Sequence, residues 1–296
     1  MAIVSVVIPY ADNWYFESVL SGVRSAAAED GHELDVWVEP PGPTARRTVT
    51  ARIEEHLADP RYVGAVAMHF RLHGEQVERV TRFGKPVVLI GGRSDELPVV
   101  RLDDAELARE AVQHLLDLGH HNIAHLGGSV TAPDDFTVRA DRVRGYSEAM
   151  RDAGLEMQAR VRACAFDIEE ATRAALNLLS GEGRPTAVFA VVDDVAFGVL
   201  AAARELGLSV PRDLSVIGVD DHDGSAAAGL TTMRQVPAEV GRAAVARLLG
   251  RTDVDDQVID VHMVVRTSTA PPPGAPQGLL ARLLRRLPAR RSSARA

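Results

Sequence analysis

The chain has 296 residues, 46% of them apolar and 4% aromatic, with a single cysteine and a formal net charge of -8. That composition can bury a sizeable core, contains no run near the roughly eighteen apolar residues a membrane span needs, and excludes an internal disulfide or a cysteine zinc site around Cys164. Residues 271–296 hold six of the 33 basic side chains and none of the 41 acids, which leaves residues 1–270 with 27 bases, a net -14 that the phosphate backbone of DNA repels.

The first predicted element is a buried strand, Ile3 to Ile8, that starts almost at the initiator methionine. Nothing before it has the charged region and cleavage site of a secretory signal, so a cytoplasmic location is expected. Phe16, Val19, Leu20 and Val23 then recur at helical spacing up to a polar break at Glu29 to Gly31. A strand at Leu34 to Val38, a helix at Arg46 to Leu57, a strand at Val63 to Met68, a helix at Glu75 to Arg82 and a strand at Pro86 to Ile90 continue the alternation. After Val99 to Leu102 a second series opens with a helix from Asp104 to Leu118, acidic at its start and followed by Gly119 where a left-handed cap would sit. It runs on through the strand Ile123 to Leu126, a helix at Val143 to Ala153, a strand at Val161 to Ala165 and a helix at Ile168 to Leu179. The strand Ala187 to Val191, a helix at Asp194 to Leu206 and the strand Leu214 to Val219 follow. Beyond Leu230 to Gln235, a helix at Ala238 to Leu249 and a strand at Val258 to Val264 complete the body. Continuous apolar strands alternating with helices imply parallel sheets covered on both faces, an α/β fold, and two Rossmann-like lobes suit this length better than one wide sheet.

Past Pro271 the material changes. "APPPGAPQG" reads as a linker, because proline lacks the amide donor and glycine resists ordering. "LLARLLRRLPARR" reads as a frayed basic tail, with an amphipathic helix for an oligomer contact or an anionic surface as the alternative.

Ligands of doubly wound sheets sit beyond the carboxyl ends of the strands. That rule selects Asp12, Asn13, Trp14, Tyr15 and Phe16 after the first strand, His69 after the third, and Asp220 as the first carboxylate closing the strand at Leu214 to Val219. Asp12 or Asn13 serves equally as a helix cap, and a lone histidine is more often a core or surface residue. Asp193 and Asp220 are the acids an enzyme acting on a glycosidic bond would use. No glycine fingerprint, Walker loop, H-E-x-x-H or G-x-S-x-G motif accompanies them, and His120 and His121 are adjacent on a turn, the wrong spacing for two ligands of one metal. No enzyme, cofactor or metal site is expected.

Five segments in consistent order resemble the LacI/GalR family of bacterial transcriptional regulators: "HLLDLGHHNIAHLGG" (114–128), "RVRGYSEAMRDAGL" (142–155), "PTAVFAVVDDVAFGVLAAARELGLSVPRDLSVIGVDD" (185–221), "LTTMRQ" (230–235) and "VVRTST" (264–269). The resemblance spans about Ile3 to Pro272 and implies a periplasmic-binding-protein-like fold of type I. In that fold two Rossmann-like lobes are joined by three crossings, here near Leu102, Gln235 and Thr252, with a small-molecule site in the cleft. The N-terminal lobe would hold residues 1–102 and 236–251, the C-terminal lobe 103–235 and 252–272, and the tail 273–296.

The same resemblance assigns roles. Tyr15 and Phe16 fit an aromatic run that packs on the effector, with Trp14 where relatives have proline. Arg142, with Gly145 and Tyr146, matches an Arg-x-x-Gly-Tyr motif whose guanidinium grips a hydroxyl pair, carboxylate or carbonyl. Phe166 stands at a stacking position, Asp193 and Asp220 match conserved acids of the family, and Gln235 sits at a crossing. Asp193 is also placed to cap the following helix. Val192 departs from the pattern, standing where an amide side chain often bonds the effector, and "HDGSAAAG" after Asp221 is shorter than the usual loop. The implied partners are a small-molecule effector, a sugar by class, a second copy of the chain, and operator DNA. The DNA would be read through a helix-turn-helix headpiece, which family members carry before the first strand. Without such a headpiece the chain would be a free-standing binding module.

Overall fold

The computed structural model describes residues 2–11, 13–40, 42, 44–91, 94–127 and 137–275. Asp12 and the basic stretch from residue 276 onward lie outside the described residues. In chain order the elements are β1 (Ile3–Ile8), α1 (Trp14–Glu29), β2 (Glu33–Val38), α2 (Ala45–Ala58), β3 (Tyr62–Met68), α3 (Glu75–Thr81), β4 (Val87–Ile90) and β5 (Val99–Arg101). They continue with α4 (Asp104–Asp117), β6 (Ile123–Leu126), α5 (Thr137–Asp152), β7 (Arg160–Arg162), α6 (Ile168–Leu179), β8 (Ala187–Ala190), α7 (Asp193–Glu205) and β9 (Ser215–Asp220). The last are β10 (Thr231–Arg234), α8 (Pro237–Leu248), β11 (Asp256–Val258) and β12 (His262–Val264). This is the α/β architecture expected, with two six-stranded sheets. No helix among the described residues is long and apolar enough to cross a membrane.

The described residues fall into two compact units, one within Met1–Leu107, Ser129–Arg142 and Arg234–His262, the other within Ala108–Gly128, Val143–Met233 and Met263–Ala296. In the first, the strand order is β11-β5-β4-β3-β1-β2, with β1 paired in parallel to β2 and β3. The composition of β1 explains its central place: Val4, Val6 and Ile8 join the core beneath α1 and α8, while Val7 joins the core beneath α2 and α3. A strand buried on both faces is apolar at nearly every step rather than at alternate ones, and in β1 Ser5 is the one polar residue. α8 reaches this unit late in the chain and lies directly on α1. Two glycines make the approach possible, since a Cβ at Gly22 would stand 2.0 Å from the Ala238 carbonyl oxygen and one at Gly241 2.2 Å from that of Val19.

In the second unit the order is β12-β10-β9-β8-β6-β7. Leu126, Val188, Ala190 and Val216 from its strands pack with α6 and α7 in one apolar cluster, and Cys164 is a partly buried member of its margin. The segment that follows β12 is fastened to the strands by polar groups. Ser268 Oγ donates to the Val216 carbonyl at 2.6 Å and accepts from the Thr231 amide at 2.8 Å. His120, 1% exposed, contacts Thr186 Oγ1 at 2.9 Å through Nδ1 and the Ala270 carbonyl at 2.8 Å through Nε2. The carbonyl can only accept, so Nε2 carries the proton and Nδ1 receives one from Thr186.

One expected element divides. Where the sequence predicts a single strand from Val258 to Val264, β11 pairs with β5 in the first sheet and β12 belongs to the second. Arg101 fixes β11 by donating from Nε and Nη2 to Asp256 at 2.7 and 2.8 Å. The final passage between units therefore falls at His262, a correction to the boundary expected near Thr252. α5 also begins at Thr137, six residues before its expected start at Val143.

Two outcomes follow. Gly22→Ala and Gly241→Ala force the α1–α8 contact apart and lower stability by about 1–3 kcal/mol, whereas Gly42→Ala, with nothing within 4 Å of its Cβ, leaves the urea midpoint unchanged. Burial holds His120 neutral and pushes its pKa down to about 4. The unfolded chain therefore binds a proton, at an ordinary value of about 6.5, that the folded chain refuses. The stability tied to His120 is complete above pH 6.5 and falls as the pH drops toward 4. By pH 5 the loss is about 2 kcal/mol, and urea denaturation of His120→Gln has a correspondingly shallower pH dependence.

Candidate functional site

Among the described residues, three that are not glycine hold a positive φ: His69 at 58°, Asp220 at 135° and Asp221 at 58°. All three stand at the carboxyl end of a strand, His69 directly after β3 and the two aspartates at the end of β9. Such backbone is disfavoured by order of 1–3 kcal/mol and persists only where the surroundings impose it.

In the first unit, Asn13 caps α1, its side-chain oxygen accepting from the amides of Tyr15 at 3.1 Å and Phe16 at 3.3 Å. The cap fixes how the two aromatics leave β1. Phe16 is 4% exposed and belongs to the core, while Tyr15 is half-buried against it. Their rings meet edge-on at 5.4 Å, and each meets the His69 ring edge-on, Tyr15 at 5.7 Å and Phe16 at 5.4 Å. Burial, with the Arg142 charge adding to it, pushes His69 down to about 4, so it is a neutral member of this aromatic group at physiological pH.

Arg142 is 2% exposed and donates from Nε and Nη2 to one oxygen of Asp104, at 2.9 and 2.8 Å. A buried guanidinium without a counterion would be strongly destabilising, and Asp104, the first residue of α4, supplies it. Burial pushes the Asp104 carboxyl up and Arg142 opposes that shift. Sequence analysis sees Asp104 only as the acidic start of a helix. The signal available was the need of any buried arginine for an acid. Gln235, also in this unit, is 6% exposed and immediately precedes Val236, the N-cap of α8.

In the second unit, Asp193 is fully buried. Its Oδ2 accepts from the His222 amide at 3.0 Å and Ser225 Oγ at 2.6 Å, and its Oδ1 from Thr232 Oγ1 at 2.7 Å. Burial pushes its carboxyl up, against the pull of those donors. Gly218 gives it room, for a Cβ there would lie 2.1 Å from Asp193 Oδ1. Two expectations are corrected here: the N-cap of α7 is Val192, which makes no side-chain bond, and the Asp193 carboxylate is turned inward to hold the loop after β9 and the strand β10.

Asp221 is engaged by Arg266, whose Nη2 donates to it at 2.5 Å while Nη1 donates to the Leu230 carbonyl at 2.7 Å. Asp220 beside it is 8% exposed. Phe166 is half-buried against the unit's core, next to Asp167, which caps α6 by accepting from the Glu170 amide at 2.8 Å. Phe197 and His222, which sequence analysis did not select, meet edge-on at 5.7 Å near these aspartates.

The structure thus gathers Tyr15, Phe16 and His69 into one group, with Arg142 near enough for its charge to act on His69. It gathers Asp193, Asp221 and His222 into another. Gln235 directly follows β10, and Phe166 lies between β7 and α6. Asp193→Ala strips three donors of their acceptor and lowers the stability of the second unit by about 3 kcal/mol or more. Urea denaturation followed by hydrogen exchange should find the loss centred on residues 221–232.

The periplasmic binding protein-like domain family matches residues 112–270. An HTH-type transcriptional regulator in the aml 5' region of Streptomyces limosus is 31% identical over 90% of this chain and 79% of its own length. A crystal structure of a LacI transcriptional regulator from a Rhodococcus species aligns with a TM-score of 0.75 at 27% identity, over 91% of this chain and 98% of that one. That of a LacI family regulator from Enterococcus faecium with bound ribose aligns at 0.76 over 91% and 99%, and at 23% identity shows likeness of fold. The relatives are regulators of transcription and not enzymes, which removes the glycosidic acid–base alternative for Asp193 and Asp220.

Proposed function

This chain belongs to the LacI family of transcriptional regulators, and from that premise we propose that it is an effector-sensing core which takes a small polyhydroxylated molecule, a sugar by class, at the carboxyl ends of its strands. The observation that carries the proposal is the strained backbone of His69, Asp220 and Asp221, positive φ at the ends of β3 and β9. Strain of this kind clusters at active sites, ligand clamps and switch regions.

Within each unit taken by itself, side chains near those strand ends suit a sugar. Tyr15 and Phe166 offer aromatic faces to the apolar side of a pyranose or furanose ring. Arg142 offers a planar fork of donors whose orientation Asp104 fixes in advance. Asp220 accepts from hydroxyls, and Gln235 both donates and accepts. Asn13, Phe16, His69 and Asp193 act behind the contacts, as cap, core, aromatic packing and loop anchor. The ribose held by the Enterococcus faecium regulator supports a sugar for this chain.

The active form is a homodimer in the cytoplasm, and operator DNA is read by a helix-turn-helix segment of the complete regulator. The acidic body argues against residues 1–270 gripping phosphate themselves, and the Streptomyces limosus relative is HTH-type by name. Sensing then requires only that the effector bind one conformation of the regulator better than another.

Titration calorimetry of the chain against pentoses, hexoses and nucleosides is expected to find a sugar that binds. Arg142→Ala and Asp220→Ala each weaken it by about 10- to 100-fold, the loss of a charge-assisted hydrogen bond. Equal affinity in the wild type and both variants would overturn the assignment.

A further inference from the structure

At the opposite end of the first unit's sheet, four side chains that the effector reading does not use form a connected series. Ser5 on β1 is 1% exposed, and its Oγ lies 2.8 Å from Nδ1 of His56, in the last turn of α2 and 7% exposed. His56 Nε2 faces Oδ2 of Asp35 on β2 at 3.6 Å. The same oxygen accepts from the Tyr62 hydroxyl at 2.5 Å, and the Tyr62 ring, from the start of β3, stacks on His56 with centroids 4.5 Å apart. Strand register puts Ser5 beside Asp35, so the series crosses three adjacent strands and one helix.

The acceptors settle the proton positions. Oδ2 of Asp35 is already an acceptor, for Tyr62, so the nitrogen that faces the same oxygen is assigned the hydrogen. Nδ1 is then the acceptor and Ser5 the donor. Serine, histidine and aspartate in this order suggest a nucleophilic triad, but the accessible end is the wrong one. The Asp35 side chain is 42% exposed, whereas Ser5 lies in a central strand covered on both faces, where no substrate reaches it.

We propose that Ser5, His56, Asp35 and Tyr62 form a proton-sensitive tie, which fastens the last turn of α2 to the central strand while His56 is neutral and releases it when His56 takes a proton. A proton on Nδ1 would point at the Ser5 oxygen. The Ser5 oxygen could then only accept from that nitrogen, and its own hydrogen would lose the acceptor it has among the described residues; an unmatched buried hydroxyl is unfavourable. The charged imidazolium is drawn instead toward Asp35 and solvent.

The groups that face His56 are Asp35 from β2, Tyr62 from β3, Arg52 and Glu55 from α2, and Asp59 from the turn after it. Burial is the largest influence and lowers the histidine, Arg52 acts in the same sense, and Asp35, Glu55 and Asp59 oppose them. The tie is therefore complete above the ordinary histidine value of about 6.5 and is lost as the pH falls below it.

Imidazole NMR of the full chain, with amide hydrogen exchange between pH 7.5 and 5, tests this. The expected result is a neutral His56 with its proton on Nε2, titrating below 6.5. The amides of residues 53–58 should lose protection, after correction for intrinsic exchange, with the same midpoint, and His56→Gln should abolish that pH dependence. A proton on Nδ1 at neutral pH, titration at or above the ordinary value, or exchange that does not follow the His56 midpoint would overturn the proposal. The NMR and exchange on the wild type decide it even where His56→Gln fails to fold. Effector affinity has no part in the readout, so the tie stands or falls independently of the sugar site.

Discussion

A parallel sheet covered on both faces leaves its polar chemistry only two places to go, the two ends of its strands. In each unit the helices exclude water from both sheet faces, and an unpaired polar group there would be unfavourable by about 1–3 kcal/mol. The polar residues within strands are accordingly few and bonded. His125 in β6, fully buried, sets its Nδ1 3.0 Å from the Phe189 carbonyl and stacks on the Phe189 ring. At the carboxyl ends the chain must turn out of the sheet into a helix or loop, and there His69, Asp220 and Asp221 accept unfavourable backbone to do so.

Polar side chains at those ends divide into two kinds. Some are consumed within their own unit: in the second Asp193 holds three donors from the loop and strand beyond β9 and Arg266 holds Asp221, and in the first Asp104 holds Arg142. Others, Asp220 at the end of β9 and Gln235 just after β10, are 8% and 6% exposed and are among the groups proposed for the ligand. Groups fixed before a ligand arrives lose less freedom on binding. The proposed role of Arg142 draws on this, because Asp104 already fixes its guanidinium.

The amino ends of both sheets carry a different device. In the first unit His56 ties α2 to β1 through Ser5, and in the second His120 ties Thr186, Ser215 and Ala270 together at the start of β8 and β9. Each is a buried histidine lowered chiefly by desolvation. Neutral imidazole joins a donor on one side to an acceptor on the other, which a strand end and an adjoining segment both need. Acid sensitivity follows from that use, because the ring that serves as a link must refuse a proton.

The alternation of apolar strands and helices, read along the chain, determined the α/β class, the order of elements and the strand ends where candidates should lie. Short-range patterns sufficed because a strand buried on both faces is apolar at nearly every step. Tertiary structure decided the rest, since each decision depended on a partner far along the chain. Asp193 looked available until Ser225 and Thr232 were brought onto it, the acid facing Arg142 was unknown until α4 delivered Asp104, and a strand from Val258 to Val264 looked single until Arg101 claimed Asp256. A carboxylate's sequence neighbours state its charge, but only folding states which donors have already consumed it.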